Sequence, residues 1–267
     1  MGGLVVFVMM VLIALGAGLI SRYVTGFTPN EQHLLDHFAG IGQKGYLLGS
    51  DEFGRDLATR LAYGARVSLS IAAVSVILAL TIGALIGLVA GYYGGWVDNV
   101  LMRFVDVILS IPTLFLLLLI TTLFRVGPAL LALVIASVSW VTLSRLVRGE
   151  VISVMNREYI EAARVIGAQD RRVIFRHVLP NVAPIMIVWA SLRIPALILI
   201  EASLSYLGLG VQPPTPSWGA MLTSAEDTFG DSFAVVLLPG LAIYLTVFSI
   251  NLIGNGLRDA LDPRVLD

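Results

Sequence analysis

The chain has no cysteine, a single lysine (Lys44), three histidines and a charged fraction of only 13%. Without cysteine it can form no disulfide, no thiolate metal site and no lipid-modified N-terminal Cys, although the redox compartment stays open. With one lysine, followed by Gly45 and not preceded by the right glycines, it cannot build the GxxxxGK[ST] loop that cradles phosphates. HExxH and GxSxG are also missing, which removes the usual peptidase and hydrolase readings. A net charge of -1 leaves no basic footprint for nucleic acid. The shortage of charge is matched by 57% hydrophobic residues. Soluble globular chains run about 45–50% apolar and about 25% charged, so a water-exposed surface cannot be built from this composition. The solvent that tolerates it is lipid.

A helix that crosses the hydrocarbon layer needs roughly 20 apolar residues, because every backbone polar group must be paired inside the element. Six stretches qualify: Leu4–Ile20, Val67–Tyr92, Pro112–Phe124, Ala129–Leu146, Ala183–Leu209 and Phe233–Leu257. The third becomes long enough if it starts near Val105, with Asp106 at the membrane boundary and Pro112 as an internal kink. The predicted fold is therefore all-α and polytopic, with about six transmembrane helices. Residues 1–66 hold the first helix and an external loop, and 67–267 a five-helix core. The first stretch is read as a retained helix, not a signal peptide, since no Lys or Arg precedes Leu4. The few residues before it suggest a trimmed start.

Cations near helix ends stay on the cytoplasmic side. The loop between the fourth and fifth stretches carries Arg145, Arg148, Arg157, Arg164, Arg171, Arg172 and Arg176, whereas 210–232 has no Lys or Arg and holds Glu226, Asp227 and Asp231. The first loop is thus cytoplasmic, the second external, and both termini lie inside, in keeping with Arg258 and Arg264. The mixed charges of the first external loop (Arg22, Lys44, Arg55, Arg60, Arg66 against Glu31, Asp36, Asp51, Glu52, Asp56) are discounted, because longer loops obey the rule poorly.

Within the Arg-rich loop, at about 149–182, REYIEAARVIGAQDRRVIFRHVLPN predicts two short helices, interrupted at Gly167 with φ above zero and stopped at Pro180. Arg157–Glu161 and Glu161–Arg164 have ion-pair spacing, and Ala162 and Ala163 leave a face that something can approach closely. Asp170 is placed to cap the second helix, whose Val173, Ile174 and Val178 can lie against the membrane domain. A charged hairpin of this kind is by itself more often a solvated face.

Glu161-Ala162-Ala163, then Gly167, then Leu179-Pro180 resembles the EAA loop of ABC importer permeases. Further blocks resemble the C-type permease of dipeptide and oligopeptide importers: GSDEFGRD at 49–56, YGARVSL at 63–69, GGWVDNVLMR at 94–103, EASLSYLGLGVQPPTPSWG at 201–219 and GLRDALDPR at 256–264. Together they cover most of the chain from about Gly49 to Pro263. One departure is His177, where the family pattern often has Ile. The resemblance implies an ABC type I importer permease fold in which the loop is a coupling helix seated on an ATP-hydrolysing subunit, with Glu161, Ala162, Ala163, Arg164, Gly167 and Ala168 at the docking positions. It also implies a second permease forming a heterodimer, two ATPase subunits carrying ATP and Mg, an extracytoplasmic substrate-binding protein, and a place in the inner membrane. The expected function is passage of peptides, with nickel chelates or glutathione as alternatives. The chain itself is expected to be no enzyme and to bind no cofactor or metal.

Ionisable groups at membrane depth mark pathways or interfaces. Arg193 and Glu201, eight residues apart and too distant for a local pair, are expected to face a translocation path or the second permease, with snorkelling an equal alternative for Arg193. Ser137, Trp140 and Ser144 form a small-polar stripe that either packs helices or lines a path, packing being preferred. Asn251 and Asn255 pose the same choice. Trp218, beside Pro213, Pro214 and Pro216, reads as an interface anchor near a docked receptor. His33, Asp36 and His37 could share a helical face and hold a metal, but read better as a solvated external stretch. Asp51 and Asp56 are expected as helix-end and ion-pair residues. Two other classes remain open: an ion-driven secondary transporter, which should show inverted repeats, and a scaffold that binds partners through the Arg-rich loop.

Overall fold

The computed structural model describes residues 2–124, 126–223 and 230–261; Glu226, Asp227 and Arg264, used above for orientation, lie outside them. Among the described residues the regular structure is helical apart from one isolated bridge, Ser50 to Asp56. The helices are α1 (Gly2–Leu15), α2 (Leu57–Tyr93), α3 (Gly95–Leu109), α4 (Thr113–Leu123), α5 (Pro128–Met155), α6 (Glu158–Val165), α7 (Asp170–Tyr206), the short α8 (Trp218–Met221) and α9 (Phe233–Leu261). Four of them, α2, α5, α7 and α9, are long and apolar enough to cross a membrane. Two bent pairs raise the number to six if each pair is one span.

Several boundaries differ from those expected. The second span starts at Leu57 instead of Val67, because Asp56 caps it by accepting from the Thr59 amide at 2.7 Å. Its 37 residues extend about 55 Å, well beyond a hydrocarbon layer of about 30 Å, so α2 continues past the expected division between residues 66 and 67 into the stretch read from sequence as loop. The third span is not one kinked helix: α3 and α4 meet at 81°. Pro112 lacks the amide to continue α3 and biases Ile111 away from the helical region, so the chain turns there and restarts. The first span also breaks, by 59° at Gly16, and ends in a π-helix, Ile20–Thr25, closed by Gly26 at φ +76°.

The centre of the molecule is the pair α2 and α5. Gly83, Gly87 and Gly91 lie on one face of α2, and the backbone of α5 approaches each of them. A Cβ at Gly87 would sit 2.6 Å from the Ser144 carbonyl oxygen, and one at Gly83 2.7 Å from that of Trp140. Small residues at every fourth position permit this approach, and in lipid, where hydrophobic driving force between helices is absent, such contact is what holds helices together. α7 and α9 pack beside this pair, and α1 lies on α9, with Gly3 against Ser249 and Leu252. α3 is tethered to α5 by two ion pairs, Asp98 with Arg148 and Asp106 with Arg145. The two arginines therefore belong to α5 itself and the connection that follows is shorter than expected, residues 156–169.

Candidate functional site

At one end of the bundle α6 and the start of α7 form a knob. Ile160, Val173 and Val178 are fully buried against Leu143, Val147 and Val151 of α5, which fixes its base. Gly167 turns the chain at φ +85°, as expected from its sequence position. The outer face shows Glu158, Glu161, Ala162 and Arg164, and at its tip Val165 and Ile166 stand 82% and 85% exposed. Two bulky apolar side chains thus stand side by side at a polar tip. The pattern RVIG carried that signal, and sequence reasoning passed over it.

Four details of the knob correct the sequence reading. Ala163 is buried at 9% and packs inward, so the approachable face is Ala162 alone. Neither Arg157–Glu161 nor Glu161–Arg164 comes within ion-pair distance; Glu161 and both arginines are exposed to competing water. Asp170 is the first residue of its helix instead of its cap; Gln169 stands at the cap without a side-chain bond. Pro180 does not stop that helix. The backbone widens to a π turn over Ile174–Val178, which accommodates the missing amide, and α7 continues unbroken to Tyr206. Ala168 lies half-buried at its start.

At the other end of the bundle Glu201 is fully buried inside this chain, not on a face toward a path or a second permease. Its carboxylate accepts from Ser205 on its own helix and Ser68 on α2, each at 2.8 Å, and from Ser217. The same serines are used twice. Ser68 Oγ accepts from the Trp218 amide at 3.2 Å, and Ser205 Oγ accepts from the Val211 amide at 3.0 Å. Trp218 is 1% exposed; its Nε1 donates to the Leu61 carbonyl and its ring covers Gly64, so it plugs the bundle and is no interface anchor. The segment after α7 thus folds back and is held by one carboxylate. The sequence showed each serine but not that residues 133 apart would meet.

The remaining polar residues divide. Ser144 is buried, its Oγ returned to the Val141 carbonyl, at the close approach to Gly87. Trp140 donates to the Ser137 carbonyl and stacks on Phe104 of α3, while Ser137 itself is exposed. Two members of the stripe therefore sit in the α2–α5–α3 packing. Arg193 lies at mid-length of α7, and its Nε is buried without a partner among the described residues. From 183 to 194 no residue of α7 is fully buried, so this part of the helix is loosely covered by the rest of the chain. Asn251 is half-buried and Asn255 exposed on α9.

The loop between α1 and α2 is a small polar structure. Asp51 pairs with Arg55 at 2.6 Å and with Arg60 at 3.4 Å, and Asp56 caps α2, the roles expected of both. Asp36 pairs with Lys44, which holds its carboxyl below the usual range, and His33 contacts Glu31, whose carboxyl is also lowered, first by the Thr28 amide. Burial pushes the Tyr46 phenol up. Among the described residues no three His, Asp or Glu side chains converge on a point that could hold a metal.

A bundle of membrane-length helices with an exposed knob at one end and a clasped segment folded back at the other is the architecture of a polytopic membrane protein. Residues 83–267 match the family described as binding-protein-dependent transport system inner membrane component, and the chain belongs to that family. It is 44% identical over 99% of its length to the di/tripeptide transport system permease protein DppC of Pseudomonas aeruginosa, covering 88% of that protein. It is 42% identical over 82% of its length to the oligopeptide transport system permease protein OppC of Haemophilus influenzae, covering 70% of it. The glutathione transport system permease protein GsiD of Pectobacterium atrosepticum is 38% identical over 96% of this chain and 85% of its own. Among solved structures, the inward-facing MetNI methionine ABC transporter matches with a TM-score of 0.55 at 19% identity, over 74% of this chain and 94% of that one, which shows the shared fold. The chain is a multi-pass inner membrane component of a transport system.

Proposed function

We propose that this chain is one of two permease subunits of an ATP-driven importer of peptides. In this reading the knob faces the cytoplasm, with both termini, and docks on one of two separate ATPase subunits that carry ATP and Mg. The re-entrant segment faces outward toward a substrate-binding protein. The observation that carries the reading is the knob: an apolar tip, 82–85% exposed, on a base made rigid by buried aliphatics. The peptide substrate is supported by the naming of relatives 42–44% identical; glutathione, a peptide derivative handled by a relative at 38%, is the second reading.

The mechanism is mechanical. Closure of the ATPase pair displaces the knobs, and the bundles rock so that a path between the two permeases opens to the other side. Glu161, Ala162, Arg164 and Gly167 are the docking contacts, with Val165 and Ile166 added at the tip and Ala163 and Ala168 supporting from below. Arg193, on the loosely covered stretch of α7, faces the path or the partner permease.

Affinity purification of this chain from its native membrane tests this. The full complex should retain ATPase subunits, and Ile166→Asp combined with Glu161→Arg should release them while the permease stays in the membrane. Retention of the ATPase by that double variant, or its absence from the unaltered complex, would refute the docking role. Binding of dipeptides, tripeptides and glutathione to the co-purifying receptor decides between the substrates.

A further inference from the structure

Two limbs of the knob converge on one side chain of a neighbouring helix. Tyr92, in the last turn of α2, is 8% exposed and surrounded by aliphatic residues of α5, α6 and α7. Its hydroxyl donates to Asp170 Oδ1 at 2.7 Å, and Asp170 is the first residue of α7. Arg164, in the last turn of α6, places its guanidinium carbon 5.4 Å from the centre of the same ring. One phenol therefore touches the C-terminal end of α6 and the N-terminal end of α7, and ties both to α2.

The surrounding packing explains what such a tie can do. α7 runs unbroken from Asp170 to Tyr206, so a displacement of the knob passes outward along that helix. α2 is locked to α5 by backbone approach at Gly83, Gly87 and Gly91, so those two helices respond as a pair. Ile160, Val173 and Val178 hold the knob on this pair through aliphatic contact, which is non-directional and tolerates sliding. The Tyr92 hydroxyl bond is directional, and a phenol held by a carboxylate at its hydroxyl and a guanidinium at its ring has one register. At the far end Ser68 of α2 bonds Glu201 of α7, so the two helices are pinned at both extremities.

We propose that Tyr92 is a positioning residue for coupling: through Asp170 and Arg164 it makes the α2–α5 pair follow the knob, so that movement inside reaches the external mouth. The inference rests on the reading that α6 docks an ATPase. Tyr92→Phe keeps the ring and the packing and deletes only the donor. Asp170→Asn keeps an oxygen acceptor, and Asp170→Ala removes it.

The absence of cysteine allows the test in the complete complex. Thr122 lines a cavity of about 620 Å³ with one wall on α4 and the other on Gly208, Leu209, Gln212 and Pro213 after α7. Maleimide labelling of Thr122→Cys on this chain, with and without ATP and vanadate, reads motion between those walls. Tyr92→Phe and Asp170→Ala are expected to shrink the nucleotide-driven change in labelling rate by about fivefold, the factor one hydrogen bond carries, with ATPase subunits still bound. Asp170→Asn is expected to retain it. A full response in both Tyr92→Phe and Asp170→Ala overturns the proposal, as does loss of the ATPase subunits from either, which would make Tyr92 a support of the knob's fold. Failure of the docking reading looks different: the unaltered complex would lack the ATPase or show no nucleotide response.

Discussion

Glu201 shows how a single side chain can do the opposite of what its position in a sequence suggests. A carboxylate within an apolar span signals a pathway, because the cost of burying charge is tolerated where function requires it. Here the cost is offset by hydroxyls that accept from backbone amides with the oxygen whose proton they give to Glu201, and each group in that arrangement is satisfied. Glu201→Gln leaves one acceptor and adds donors the serines must turn to meet, so it should lower stability by about 1–2 kcal/mol, whereas Glu201→Ala, which adds a cavity and strands the hydroxyls, should cost about 3 kcal/mol or more. Thermal unfolding of the purified complex in detergent measures both. Equal midpoints for wild type and Glu201→Ala would remove the structural role. Tryptophan 218 teaches the same lesson: its prolines and its place in an external segment pointed to a surface, and only the arrival of Gly64 and Leu61 from α2 made a pocket for the ring.

Among the elements, the α2–α5 contact decides the architecture. Its signature, glycine at 83, 87 and 91, was present in the sequence, but the sequence reading passed over it; small residues at every fourth position let membrane helices approach closely. Gly87→Val would place a Cβ 2.6 Å from the Ser144 carbonyl and 2.7 Å from Val147 Cβ. Separating the helices should destabilise the chain by about 1–3 kcal/mol, more than Gly149→Val, whose added Cβ meets nothing within 4 Å. The two unfolding midpoints compared side by side test this. The break between α3 and α4 was less legible. Pro112 announced a disturbance, but a kink and an 81° turn begin from the same residue, and what separates them is the anchoring of α3. Asp98 and Arg148 hold it against α5, and a double-mutant cycle on Asp98→Ala and Arg148→Ala in thermal unfolding should give a coupling of about 1 kcal/mol or less, as befits a pair only partly shielded from solvent.

For the whole molecule the decisive quantity is which end faces the cytoplasm. The arginines of 145–176 are the sequence's argument for a cytoplasmic knob, which stands at the end where they cluster. Ile166→Cys and Leu35→Cys, 85% and 93% exposed at these parents, provide opposite reporters on a chain with no cysteine of its own. In intact spheroplasts an impermeant maleimide should label Leu35→Cys and spare Ile166→Cys, and in inverted vesicles stripped of the ATPase subunits that would otherwise cover Ile166 the order should reverse. Labelling of Ile166→Cys alone in spheroplasts would invert the topology, and equal labelling of both from one side would break it.

The number of apolar stretches, the helical class, the knob and its glycine hinge were determined by the sequence alone, because hydropathy, charge placement and a residue's backbone freedom are local properties that a neighbour cannot change. Tertiary structure alone decided the fate of Glu201, Trp218 and Tyr92. Each has its meaning set by partners tens or more residues away, Ser68 for Glu201 and Asp170 for Tyr92, and the pairing of distant hydroxyls, carboxylates and rings exists only once α2, α5 and α7 have been brought together.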